Sequence, residues 1–224
     1  MNIVALLASP HGLKGNTAAL LQLVLEGAEA EGSITEIEIL LKGDRVLPCL
    51  ACDMCHKRGS CIQKDDFESI KTKIIGADAL ILASPNYINS VSAQMKAFFD
   101  RCCGVVHCMQ LWGKYGVSVV TSGGDGEEAV AEYMNNFLIT TGVVPVGAVS
   151  ANMSNMPSEN FTEELRESAR KLGKKLVTEL LANKVSPEVA ARRNAFRDRM
   201  RSLMEWKKEE WPYEYEHWKD GMGL

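Results

Sequence analysis

Four cysteines fall within one short stretch, Cys49-x2-Cys52-x2-Cys55-x5-Cys61, the sharpest chemical feature of this sequence. Three thiols at two-residue intervals with a fourth close behind can wrap one compact cubane, because iron–sulfur clusters are held by four thiolates. Structural zinc sites pair two cysteine knuckles across a longer intervening stretch, and that gap is missing here. An empty thiol loop and a zinc loop are the alternatives. His56, inside the motif, is expected to be a solvated loop residue, and Cys102, Cys103 and Cys108 to be buried small hydrophobes.

A second feature is the run Ser9-Pro10-His11-Gly12-Leu13-Lys14-Gly15-Asn16-Thr17. Small and hydroxyl residues between a strand and a helix let backbone N–H groups and hydroxyls converge on an anion. The Walker pattern is excluded, since Lys14 precedes Gly15 and Asn16 follows it. The dinucleotide pattern is excluded too, because only Gly12 and Gly15 are present. The plain alternative is a turn whose Asn or Thr caps a helix. Neither a nucleophile motif nor a His-x3-His pair is found, and the four histidines are scattered.

These residues need a scaffold. Ile3–Ala8, Ala79–Ala83, Val117–Val120 and Val143–Val149 read as buried strands, and a further strand lies within Ile34–Leu41. Helices are expected from Leu20 to Ala28, over Asp65–Ile75, Val91–Cys102 and Glu127–Thr141, and over Glu159–Leu181. Pro145 cannot donate to a ladder, which puts the last strand at a sheet edge. Alternating strands and helices predict an α/β fold: a doubly wound, five-stranded parallel sheet of order 2-1-3-4-5. Its ligand crevice lies at the carboxyl ends of the first and third strands. Ser84-Pro85-Asn86-Tyr87-Ile88 leaves the third strand, and Thr121-Ser122-Gly123-Gly124-Asp125 leaves the fourth.

The 224 residues divide into residues 1–186, the sheet domain with its cysteine-rich loop at 49–61, and a helical C-terminal tail at 187–224. In the tail Val189, Phe196, Met200 and Leu203 form an apolar stripe, and Arg192, Arg193 and Arg199 flank it with wet heads. Glu209, Glu210, Glu214 and Glu216 follow. With Trp206, Trp211 and Trp218 as anchors, the tail is expected to bind another subunit; the alternative is that the stripe folds back on its own domain. A composition 46 % apolar and 24 % charged is globular. A net charge of −4 argues against nucleic acid as a partner. No apolar run is long enough for a bilayer, so no membrane partner is expected. The N-terminus lacks the basic start of a signal peptide, which points to a reducing cytoplasm and free thiols.

Ser-Pro followed by Gly15-Asn16-Thr17, then Ser84-Pro85-x-Tyr87, Ser92-Ala93-x-x-Lys96 and Phe99-Asp100-Arg101, resembles the NAD(P)H-dependent FMN reductase group of flavodoxin-like proteins. The likeness covers residues 1 to about 182. It departs at Ala8, where glycine is common, and in the four residues between Pro10 and Gly15, where three are usual. The resemblance implies that Ser9, Lys14, Gly15, Asn16 and Thr17 hold the FMN phosphate. Pro85, Asn86, Tyr87 and Ile88 would pass along the isoalloxazine, and Thr121, Ser122, Gly123, Gly124 and Asp125 would close its other side. The cysteine loop resembles that of the iron–sulfur flavoproteins in this group, which implies a [4Fe–4S] cluster on Cys49, Cys52, Cys55 and Cys61. The implied activity is FMN-dependent electron transfer, with NAD(P)H as a donor, a ferredoxin-type partner and a homo-oligomer. A cluster-free FMN or quinone reductase and a non-enzymatic four-cysteine redox sensor are the competing readings.

Overall fold

The computed structural model describes residues 1–32, 34–39, 45–156 and 161–222. Its centre is a sheet of five parallel strands, β1 (Asn2–Leu7), β2 (Ile34–Ile39), β3 (Ala79–Pro85), β4 (Tyr115–Ser122) and β5 (Val144–Asn152), in the order β2-β1-β3-β4-β5. That is the expected order, with β5 at the edge. Pro145 sits opposite Gly116, and the register slips immediately beyond it, between Gly116 and Val117. A residue without an N–H is accommodated at an edge and an irregularity.

Side chains alternate across the strands. Ile3, Ala5, Leu7, Ile81, Val117 and Val119 enter one buried cluster, while Val4, Leu6, Leu80 and Leu82 enter another. Between β1 and β2 runs α1 (Asn16–Glu29), which covers the first face together with α7 (Glu163–Leu181). The second face is covered by α3 (Phe67–Gly76), α4 (Ala93–Arg101) and α6 (Glu127–Thr141). α1 and α7 touch backbone to backbone. A Cβ on Gly27 would lie 2.0 Å from the Arg170 carbonyl oxygen, and one on Gly173 would lie 1.9 Å from that of Val24.

Three expectations shift. The helix expected over Val91–Cys102 starts at Ala93, because the Ser92 hydroxyl caps it by accepting the Met95 N–H at 3.3 Å. After Cys102 a separate turn, α5 (Cys103–His107), follows. The cysteine segment is not all loop, since α2 (Met54–Arg58) lies within it. Leu40 and Leu41 of the second strand, and Glu159 and Asn160 of the last sheet-domain helix, lie outside the described residues.

The tail is α8 (Pro187–Lys207) and α9 (Pro212–His217). Its stripe folds back on its own chain. Val189 packs on the first core, and Met200 and Met204 bury with Met109 and Trp218, flanked by Phe196, Leu203 and Trp211. Arg193, expected to be wet, is buried with its guanidinium 4.1 Å above the Trp112 ring. The stripe therefore packs in cis, the alternative arrangement, while Trp206 remains 74 % exposed.

Candidate functional site

The first loop builds an anion cradle. The residue in excess of the family spacing is absorbed by a single 3-10 turn over Gly12–Lys14, closed by Gly12 N–H to Ser9 carbonyl at 3.0 Å and Gly15 N–H to Gly12 carbonyl at 3.3 Å. Gly15 then opens α1, and no side chain caps that helix start. Its first N–H groups are available to an anion. A Cβ on Gly15 would come within 2.8 Å of His11 Cβ and 3.3 Å of Ser9 Oγ, so the turn closes only around a bare backbone. Ser9 and Thr17 are buried, Lys14 and Asn16 exposed.

The other two loops meet this one and each other. Thr17 and Thr121 share a hydroxyl–hydroxyl bond of 2.6 Å, joining the β1 and β4 ends. Asn86 donates through Nδ2 to Ser122 Oγ at 3.2 Å and to the Asp125 carbonyl at 2.7 Å, joining the β3 and β4 ends. Its Oδ1 is buried without a protein partner. Residues Tyr87 to Ser90 form a tight turn, with Ile88 and Asn89 at φ of 50° and 57°. A β-branched residue in the left-handed region is strained, and strain of this kind collects at ligand sites. The turn holds Ile88 97 % exposed and Tyr87 46 % exposed on the rim, while Gly123 and Gly124 face open space.

The cysteine loop is pinned at both ends by one buried ion pair. Arg101 reaches Asp65 through Nη1 at 2.7 Å and Nη2 at 3.1 Å. The same two side chains hold both backbone groups of Leu47: Arg101 donates to its carbonyl at 2.9 Å, and Asp65 accepts its N–H at 2.8 Å. Burial opposes the charge on Asp65, but Arg101 and the Leu47 and Phe67 N–H groups hold its carboxyl below the usual range. Between the pins, Ala51 and Asp53 both adopt positive φ, 50° and 58°, on either side of Cys52. All seven cysteines are free thiols, with Cys49 and Cys52 exposed and Cys55 and Cys61 half-buried.

Residues 1–157 match the family of NADPH-dependent FMN reductases. An iron–sulfur flavoprotein of Archaeoglobus fulgidus is 38 % identical over 170 residues, covering 75 % of this chain and 76 % of that protein. Another, from Methanocaldococcus jannaschii, is 35 % identical over 149 residues, covering 66 % and 76 %. The chain belongs to the NADPH-dependent FMN reductase family. As a member it is a flavin-dependent oxidoreductase. Its fold is that of an apo NADH:FMN oxidoreductase, at a TM-score of 0.60 and 20 % identity over 84 % of this chain and 92 % of that one.

The family's flavin fits what the cradle offers: an uncapped helix start, a partnerless Asn86 oxygen and glycines beside open space. Four unpaired thiols on a strained loop are likewise the donor set of an iron–sulfur cluster. Beside that loop lies a group which the sequence reading misplaced. His56, expected to be solvated, is only 4 % exposed. Glu214, one of the four glutamates of the tail, is fully buried between His56 Nδ1 at 2.6 Å and His107 Nδ1 at 3.0 Å. Cys103, read as inert, lies 3.7 Å from His107 Nε2. Trp211 stacks on His56 at 4.5 Å.

Charges inside this group sustain one another. Burial opposes ionisation of His56, but bonds with Cys103, Cys55 and Glu214 outweigh it and raise the pKa to about 12. Burial likewise opposes the charge on His107, and Cys103 and Glu214 raise it to about 9. Against the same penalty, His107 and His56 pull Cys103 down to about 6 and hold Glu214 below its ordinary value. The Cys103-x3-His107 spacing on one helical turn was a readable signal. Glu214, more than a hundred residues away, gave none.

Proposed function

We propose that this chain passes electrons between FMN and a [4Fe–4S] cluster held by Cys49, Cys52, Cys55 and Cys61. The observation that carries the reading is the cradle at the switch point, where Thr17–Thr121 and Asn86–Ser122 draw three strand ends together. Flavin exchanges electrons in pairs or singly, and a cluster carries them one at a time, so the two together can join a two-electron donor to one-electron partners.

The chain's own residues supply binding and orientation. Gly15, Asn16 and Thr17 offer N–H groups and a hydroxyl to the phosphate, with Ser9 beneath and Lys14 at the margin. Pro85, Asn86, Tyr87 and Ile88 would line one side of the ring, and Thr121, Ser122, Gly123, Gly124 and Asp125 the other. Backbone and amide donors there tune the electron affinity of the ring, and no protein acid or base is needed. Names of two relatives as iron–sulfur flavoproteins support the cluster. NAD(P)H as donor, a ferredoxin-type acceptor, a cytoplasmic setting and a homo-oligomer that brings one copy's cluster to another's flavin complete the proposal. Among the described residues no helix is long and apolar enough to cross a membrane.

Anaerobic purification followed by flavin, iron and sulfide analysis tests this. Flavin bands over a broad brown absorbance, with iron and sulfide in equal amounts, are expected. Flavin without iron would leave a cluster-free reductase, and a colourless protein would overturn both.

A further inference from the structure

Outside the cradle and the four-cysteine set, one group of donors converges. His56, Cys103 and His107 each bring a ligand atom within 4.8 Å of the others. They come from two short helices, α2 and α5, and a third element from the tail closes over them. Both imidazoles turn Nδ1 to the same carboxylate, Glu214, at 2.6 and 3.0 Å. That leaves Nε2 of each ring as its free ligand atom, and for His107 this atom faces Cys103 Sγ at 3.7 Å.

We infer that His56, Cys103 and His107 form a zinc site, distinct from the four-cysteine set, with Glu214 orienting both imidazoles. Histidines that bind metal almost always give their second ring nitrogen to a carboxylate or carbonyl, which fixes the tautomer and raises ligand basicity. Here a single buried carboxylate does so for two rings at once. Nitrogen and thiolate donors suit zinc, and tetrahedral bonds of ordinary length put N and S ligands about 3.3–3.6 Å apart. The Cys103–His107 separation of 3.7 Å is already close to that spacing, and all three ligand atoms lie within 4.8 Å of one another. Asp53 Oδ1 lies 3.9 Å from His56 Nε2, and a water or this carboxylate would take the fourth position.

The site has a structural consequence. It ties α2, which carries Cys55, to α5 and through Glu214 to α9, fixing the cysteine loop from behind. The inference does not rest on the flavin or cluster reading, because zinc and iron are counted separately.

The test uses the full chain purified with its iron and flavin. Zinc analysis should give one ion per chain, and zinc K-edge absorption should show one sulfur and two imidazole ligands. Four sulfurs around zinc would overturn the site, as would an absence of zinc after growth in zinc-supplemented medium. Competition with a chromophoric chelator should show Glu214→Gln weakening zinc by about 10–100-fold, the usual effect of losing an orienting partner. Cys103→Ser should lose zinc and keep iron, while Cys52→Ala should lose iron and keep zinc. Zinc retained in Cys103→Ser, or lost in Cys52→Ala, would assign the ion elsewhere. Should Cys103→Ser fail to fold, the ligand count from the unaltered protein decides.

Discussion

Thr17 serves the site twice, through its backbone and through its side chain. Its N–H lies in the uncapped first turn of α1, and its hydroxyl is 2.6 Å from that of Thr121. The double change Asn16→Ala, Thr17→Ala removes an anion donor and the link between two loops. Hydrogen bonds to a charged group contribute about 1.5–3 kcal/mol. FMN affinity, followed by flavin fluorescence quenching, should therefore fall at least about tenfold. An unchanged affinity in the folded variant would remove these residues from the phosphate site. The cysteines divide in the same manner. Cys52→Ala leaves three thiolates and should lose the cluster iron, while Cys102→Ala, a change in the second core, should keep it. Residue types and local spacing made these assignments readable. What spacing hid was the environment: His56 and Glu214 are polar in the sequence and buried in the fold, since each supplies the other's partner.

Among the elements, two contacts control the site from a distance. Gly27 and Gly173 let α1 and α7 meet backbone to backbone, and a methyl group at either would sit about 2 Å from a carbonyl oxygen. Neither carbonyl can yield without moving a helix. Gly173→Ala should destabilise the protein by about 1–3 kcal/mol, the usual cost of overpacking, read as a lower urea midpoint. FMN affinity should fall with it, because α1 carries the phosphate loop. The Asp65–Arg101 pair offers a pH test. Asp65 has a depressed folded pKa, so its stabilisation is present above the unfolded value of about 3.9 and lost as pH falls through the folded value. Asp65→Asn leaves Arg101 buried and unpaired and should cost about 3–5 kcal/mol at neutral pH. The difference in melting temperature between variant and parent should be full at pH 6 and shrink below about pH 4. A constant difference across that range would assign the effect to packing. The sheet and its order were legible because buried parallel strands are apolar runs and Pro145 marks an edge. α2 was not, because five residues bracketed by left-handed Asp53 and Gly59 carry no periodic signal.

Across the whole molecule, the tail closes the cysteine loop from outside the sheet domain. Its apolar stripe meets Met109, Trp218 Nε1 donates to the His107 carbonyl at 2.9 Å, and His217 Nε2 lies 3.0 Å from the Cys108 carbonyl. Tyr213 lies so flat on Gly59 that a Cβ there would fall 2.2 Å from its ring. A stripe of spaced hydrophobes says that a helix has a buried face, and it says nothing of which surface buries it. That is why the sequence pattern fitted a second subunit as well as its own chain. The cis arrangement makes a distinct prediction for Glu214→Ala in the full chain. Removing the carboxylate leaves two buried imidazoles without their shared acceptor, a loss of the size that breaks buried pairs, about 3–5 kcal/mol. Local opening free energies set amide exchange, and each 1.4 kcal/mol is about a factor of ten. Exchange across residues 53–59 and 103–108 should accelerate by roughly 100-fold or more, while β1, β3 and β4 stay protected. A chain ending at residue 207 should show the same pattern, since it loses α9 and Trp218 together. Uniform acceleration over the sheet would mean that the tail stabilises the domain globally, and unchanged exchange in the loop would mean that it does not hold the loop at all.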